Sequence, residues 1–113
     1  MDSQLGLNDE RTRLLARFKE VLPDLMVPES AVWDEAYKDG ALSRKTKRLM
    51  ALGIALRAGC ANCILGQTMR AMEAGASREE ILETISVVVV MNGTAGMAES
   101  LRVIKLLDEM GKL

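Results

Sequence analysis

Apolar positions recur along this chain at spacings of three and four, the period of an amphipathic helix. Leu14, Leu15, Phe18, Val21 and Leu22 form the first such stripe, and Pro23 closes it. Met26-Val27-Pro28 reads as a connector. Ser30 can cap a short second helix carrying Val32, Trp33, Ala36 and Tyr37 up to Gly40. Ser43 can cap a third, with Leu49, Met50, Leu52, Ile54, Ala55 and Leu56 inside it and Gly59 as its stop. A fourth starts at the cysteines and runs through Ile64, Met69 and Met72 to Gly75. Ser77-Arg78-Glu79-Glu80 has the Ser/Glu spacing of a capping box and opens a fifth, and a sixth spans about Gly96 to Met110. The pattern predicts an all-α domain of about six helices over residues 1–113.

Ile85-Ser86-Val87-Val88-Val89-Val90 is the one stretch with strand propensity. The capping box leads straight into it and no partner strand is visible, so we read it as helix. A helix apolar on every side needs protein around it, which places Ile81 to Met91 at the centre of the fold or at a subunit contact.

Composition sharpens this. Of 113 residues 49% are hydrophobic but only 3% aromatic, and eight are methionine, so the core is aliphatic. So much apolar surface on so short a chain favours a homo-oligomer. Net charge is −1 with both signs interspersed. The only basic run, Arg44-Lys45-Thr46-Lys47-Arg48, has no interleaved aromatics and reads as solvated helix turns rather than a nucleic-acid face. No apolar stretch is expected to reach the roughly 18 residues of a membrane span. The N-terminus lacks the pattern of a signal sequence, so the expected location is cytoplasmic.

Candidate chemistry is concentrated in Cys60-Ala61-Asn62-Cys63, which holds the only two cysteines; there is no histidine. Two thiols one helical turn apart can close a disulfide, share a proton or supply half a metal site. At a helix N-terminus the unpaired N–H groups and the dipole favour a thiolate. A structural zinc site wants four ligands, which only a pair of subunits could supply, so no metal or cofactor is expected. Two inert, buried cysteines are the plain alternative. A thioredoxin-like reading fails for want of a strand before the helix.

Three segments carry a resemblance: Leu42-Ser43-Arg44-Lys45-Thr46-Lys47-Arg48-Leu49, Ala51-Leu52-Gly53-Ile54-Ala55 and Gly59-Cys60-Ala61-Asn62-Cys63-Ile64. Ala71 to Glu83 and Gly93-Thr94-Ala95-Gly96 extend it. Together they resemble the carboxymuconolactone decarboxylase family in its alkylhydroperoxidase D-like branch, over about residues 30–110. The resemblance implies an all-helical trimer or hexamer with thiol peroxidase or disulfide reductase activity, a thiol or disulfide reductant as partner, and Cys63 as the attacking sulfur with Cys60 resolving. Spacing alone does not rank the two.

The chain departs from that branch at two points. Arg48 stands where the branch carries a glutamate, and Gln67 stands four residues after Cys63 where it carries a histidine. The glutamate–histidine proton relay is therefore expected to be lost. Arg48 either stabilises a thiolate or points to solvent with its basic run; Gln67 hydrogen-bonds but takes no proton. The catalytic set expected from the sequence is Cys60, Cys63, Gln67 and Arg48. A lyase acting on a lactone acid and a non-enzymatic binding module are the competing readings.

Overall fold

The computed structural model describes residues 1–113. It is all-helical: α1 (Gln4–Val21), α2 (Pro23–Tyr37), α3 (Arg44–Ala58), α4 (Ala61–Glu73) and α5 (Arg78–Glu109). The core lies where α3, α4 and α5 meet. Leu52, Ala55 and Leu56 of α3 pack against Ile64 of α4 and against Ile81, Val88, Val103 and Leu107 of α5. Each fully buried Leu or Ile contributes about 1.5–3 kcal/mol, so these three helices carry the framework. Polar side chains inside it are satisfied: Thr68 Oγ1 donates to the Ile64 carbonyl at 2.8 Å and Ser100 Oγ to the Gly96 carbonyl at 2.7 Å.

The capping box forms as expected, with Ser77 Oγ accepting from the Glu80 N–H and the Glu80 carboxylate accepting from the Ser77 N–H. That bond, and Lys45 across the fold, hold the Glu80 carboxyl below its ordinary range against a smaller opposing effect of desolvation. The valine run is helical. What the sequence divides into two helices is one 32-residue element broken at Gly93, where φ is 62° and ψ −145°. Only glycine adopts that conformation without strain, and the break turns the second half of α5 so that Val103 and Leu107 reach the core.

Two expectations at the N-terminal end need correction. Ser30 caps nothing, and Met26-Val27-Pro28 is not a connector, because α2 begins at Pro23 and contains Pro28. Pro23 is at the helix start, where its missing N–H costs nothing. The carbonyl that Pro28 leaves unbonded lies on an exposed helix, where water satisfies it. The α1 stripe is also misplaced: Leu14, Phe18, Val21 and Leu22 are exposed, and the buried residues of α1 are Gln4 and Asn8. Polar contacts tie α1 down instead. The Glu109 carboxylate accepts from Ser3 Oγ and from the Gln4 N–H, and the Ser3 bond pulls its pKa below the usual range.

By length and composition α5 suffices for a membrane crossing, contrary to the expectation that no stretch does. In this fold its break at Gly93 and its buried residues join it to α3 and α4 instead.

Substituting Gly93→Ala is expected to cost about 1–3 kcal/mol, read as a lower urea midpoint at unchanged slope. A variant as stable as the parent would show that α5 does not need the break.

Candidate functional site

Gly59 ends α3 in the left-handed region, φ 73°, with its N–H bonded to the Ala55 carbonyl at 3.0 Å. Cys60 follows in an extended conformation and is the N-cap of α4. Its Sγ accepts the Cys63 N–H at 3.3 Å, taking the place that a Ser or Asp oxygen fills at an ordinary cap. Cys60 and Cys63 are joined as a disulfide with their Cα atoms 5.2 Å apart. The two sulfurs are not equivalent: Cys60 is half-buried in the turn, and Cys63 is exposed.

Arg48 does not point to solvent. From α3 it reaches α4, where its Nη1 donates to Gln67 Oε1 at 3.2 Å. Its guanidinium carbon sits 3.4 Å from the centroid of the Tyr37 ring. Its Nε is buried without a partner. Burial pushes the guanidinium pKa down and the neighbouring Tyr37 offsets part of that, while Arg70 and Arg44 push it down further. The group remains a cation at neutral pH. No hydrogen bond joins Arg48 or Gln67 to either sulfur, so the expected set of Cys60, Cys63, Gln67 and Arg48 is a disulfide flanked by a cation–amide pair.

A cleft of about 760 Å³ opens between α1, α2 and α4. Cys63 and Gln67 line one wall; Leu14 and Phe18 of α1 and Trp33 of α2 line the others, together with Arg11. The displaced apolar stripe of α1 thus faces this cleft. Sequence reasoning missed Tyr37, Arg11 and Glu99 as members of the neighbourhood. A Cβ at Gly59 would lie 3.7 Å from Glu99 Oε1, which puts a carboxylate beside the residue preceding Cys60. None of the three carries a local motif; only the folded chain brings them there.

The carboxymuconolactone decarboxylase family model matches residues 27–106, from the middle of α2 to the last turns of α5. The chain belongs to this family. A family protein from Legionella pneumophila, solved in its apo form, is 32% identical, superposes with a TM-score of 0.87, and the match covers 99% of this chain and 100% of that one. A family member from Thermotoga maritima, described with a suggested part in an antioxidative response, is 25% identical at a TM-score of 0.71, covering 92% of this chain and 97% of that one. Among curated proteins, an uncharacterised protein of the cox locus of Paracoccus denitrificans is 36% identical over 74 residues, 66% of this chain and 67% of the relative. An uncharacterised protein of Cupriavidus necator is 27% identical over 101 residues, 89% of both chains. Within the family match, α1 is the one helix left wholly outside.

Arg48→Ala is expected to raise the pKa of the more reactive cysteine in the reduced protein. A cation near a thiol favours the thiolate, and the effect is expected to be small because the guanidinium is held on Gln67 rather than on a sulfur. The rate of alkylation against pH measures it. An unchanged profile would leave the α4 terminus as the sole activator of the thiols.

Proposed function

We propose that this family member is a thiol–disulfide redox protein in which Cys63 meets the external reactant and Cys60 completes the couple. The observation that carries this reading is the asymmetry of the pair: Cys63 opens onto the cleft while Cys60 is tucked into the turn under a backbone N–H. The antioxidative association of the Thermotoga neighbour supports it.

In the oxidising half, the Cys63 thiolate attacks the outer oxygen of a hydroperoxide. The O–O bond breaks, an alcohol leaves after taking a proton, and Cys63 becomes a sulfenic acid. Cys60 then attacks the Cys63 sulfur, water departs and the disulfide closes. In the reducing half, an external dithiol attacks Cys63, the accessible sulfur, and Cys60 leaves as a thiolate. The Cys63 N–H that already points at Cys60 Sγ stabilises that leaving group. The external dithiol then resolves its mixed disulfide with Cys63 and carries away two electrons as its own disulfide.

The weak step is protonation of the departing alkoxide. Neither Gln67 nor Arg48 delivers a proton at neutral pH. Exchange with disulfides makes less demand on an acid, because the leaving thiol's own pKa governs it. We therefore assign disulfide exchange as the faster activity and peroxide reduction as the slower one. This cycle fits a reducing compartment such as the cytoplasm.

A separate observation bears on assembly. Val87, Val90 and Met91 of α5 and Met50 and Ile54 of α3 are large, apolar and exposed; Val90 is 84% exposed. Val87, Met91, Met50 and Ile54 line a depression of about 660 Å³ between the two helices. We propose that a second copy of the chain covers it, within a trimer or hexamer. This is the subunit contact expected for a helix apolar on every side.

Three tests follow directly. A Cys60→Ser protein should accumulate a mixed disulfide on Cys63 with a small aromatic disulfide, and Cys63→Ser should accumulate little; the reverse order would transfer the outer role to Cys60. Combining Gln67→His with Arg48→Glu should raise peroxide turnover at least about tenfold, since a positioned acid or base contributes about 10²–10⁴-fold. No gain would mean that proton delivery is not what limits the reaction. For assembly, Met91→Asp should reduce the sedimentation coefficient at micromolar concentration, whereas a monomeric parent protein would refute the contact outright.

A further inference from the structure

Arg11 is the unusual residue of the cleft. It sits in the middle of α1, half-buried, with its guanidinium laid against the side-chain-free surface of Gly66; a Cβ there would be 3.2 Å from Nη1. Its Nε donates to Asn8 Oδ1 at 3.1 Å. Its two terminal nitrogens have no hydrogen-bond acceptor, and no carboxylate lies within ion-pair distance; Arg13, Arg17, Arg70, Arg78 and Arg102 have one, and Arg44, Arg48 and Arg57, which also lack one, do not line the cleft. Burial and the neighbouring Arg70 both push the Arg11 pKa down, with Glu73 only partly opposing them. A cation that is partly desolvated and unpaired costs free energy until an anion meets it.

The surroundings narrow the chemistry of that anion. Leu14, Phe18 and Trp33 make the α1 and α2 walls largely apolar, while Asn62 and Gln67 are polar beside Cys63. The volume of about 760 Å³ is that of a small-molecule site rather than a macromolecular groove. Glu10, also at the cleft, is mostly exposed and leans toward Arg13 at 3.9 Å, so a second negative charge at the rim would meet repulsion. The cleft thus offers one cation, an apolar body and an acidic rim.

We propose that the cleft binds an amphipathic monocarboxylate, its carboxylate on the Arg11 terminal nitrogens and its apolar chain or ring along Leu14, Phe18 and Trp33, next to Cys63. On the redox reading above, this makes the oxidised substrate an apolar monocarboxylic acid that bears the hydroperoxide or disulfide. Binding itself does not depend on that reading.

Trp33 is the only tryptophan and lies on the cleft wall, so its fluorescence reports occupancy directly. Decanoate and decanol serve as probes of equal length, titrated into the disulfide-bonded protein. Decanoate should give a saturable change and bind at least tenfold more tightly than decanol. Arg11→Gln should weaken decanoate roughly tenfold or more, the loss expected for a charged hydrogen bond, and leave decanol unaffected; Arg11→Lys should recover most of the loss. In reduced protein, decanoate should slow alkylation of Cys63.

Equal affinity of the two probes in the parent protein would overturn the proposal, and that comparison needs no variant to fold. No saturable response would do the same, because it would mean that another copy or the protein itself fills the cleft. Unslowed alkylation of Cys63 would overturn the placement beside the sulfur. Since binding is read without turnover, a failed Cys60→Ser trap leaves this result standing, and the converse holds.

Discussion

Everything near the sulfurs depends on one turn. Gly59 takes the left-handed conformation that closes α3, and the chain then enters α4 within a single extended residue, Cys60. A side chain at position 59 would be strained at φ 73° and would approach the Glu99 carboxylate. With the turn in place, the Cys60 sulfur replaces the usual capping oxygen and Cys63 falls at the third helical position, near enough for a bond. The α3–α4–α5 core holds both helices at this angle through Leu52, Leu56 and Ile64. Disulfide and helix cap therefore share one sulfur: the Cys63 N–H that the Cys60 Sγ caps would also steady a Cys60 thiolate if the bond opened.

The second layer of the site is organised around a cation instead of a proton relay. A guanidinium with a fixed charge, stacked on an aromatic face and bonded to an amide, is rigid and does not titrate in the working range. Such a pair shapes potential and geometry but moves no protons. Pairing Arg48 with Gln67 is also self-consistent. An amide oxygen accepts from the guanidinium without neutralising it, so the positive potential survives, whereas a carboxylate at either position would cancel it. Beside the disulfide the site thus holds a fixed positive charge and an amide, and neither Arg48 nor Gln67 offers a proton at neutral pH.

Local signals made much of this legible in the sequence. The Ser77/Glu80 box, the glycine at 59 and the apolar interior of α3 each act within a turn or two of chain, and each appears where the residues place it. The errors arose where tertiary context decides. Pro28 looks like a breaker, yet an exposed helix tolerates it because water takes the freed carbonyl. Leu14 and Phe18 have core spacing, yet polar ties from Glu109, Lys105 and Arg102 fix the rotation of α1 and turn those residues toward the cleft. Arg48 sits in a basic run that otherwise serves the surface, with Lys45 paired to Glu80 and Lys47 bonded to the Lys38 carbonyl. Its rotation on α3, invisible in the sequence, separates it from them. Tyr37 and Arg11 come from helices distant in the chain and leave no motif.

The family model stops along the same line, although the Legionella relative superposes over 99% of this chain, α1 included. The family match starts at residue 27 and includes the disulfide, Arg48, Gln67 and the whole core. It omits α1, whose residues Arg11, Leu14 and Phe18 form the outer wall of the cleft over Cys63. That wall is fastened to the end of α5 mainly by hydrogen bonds and charge, not by a buried apolar seam, so it can change its side chains without disturbing the core. A helix attached in this way sets the shape of the cleft in front of the Cys63 sulfur, while the three core helices fix the turn that carries it.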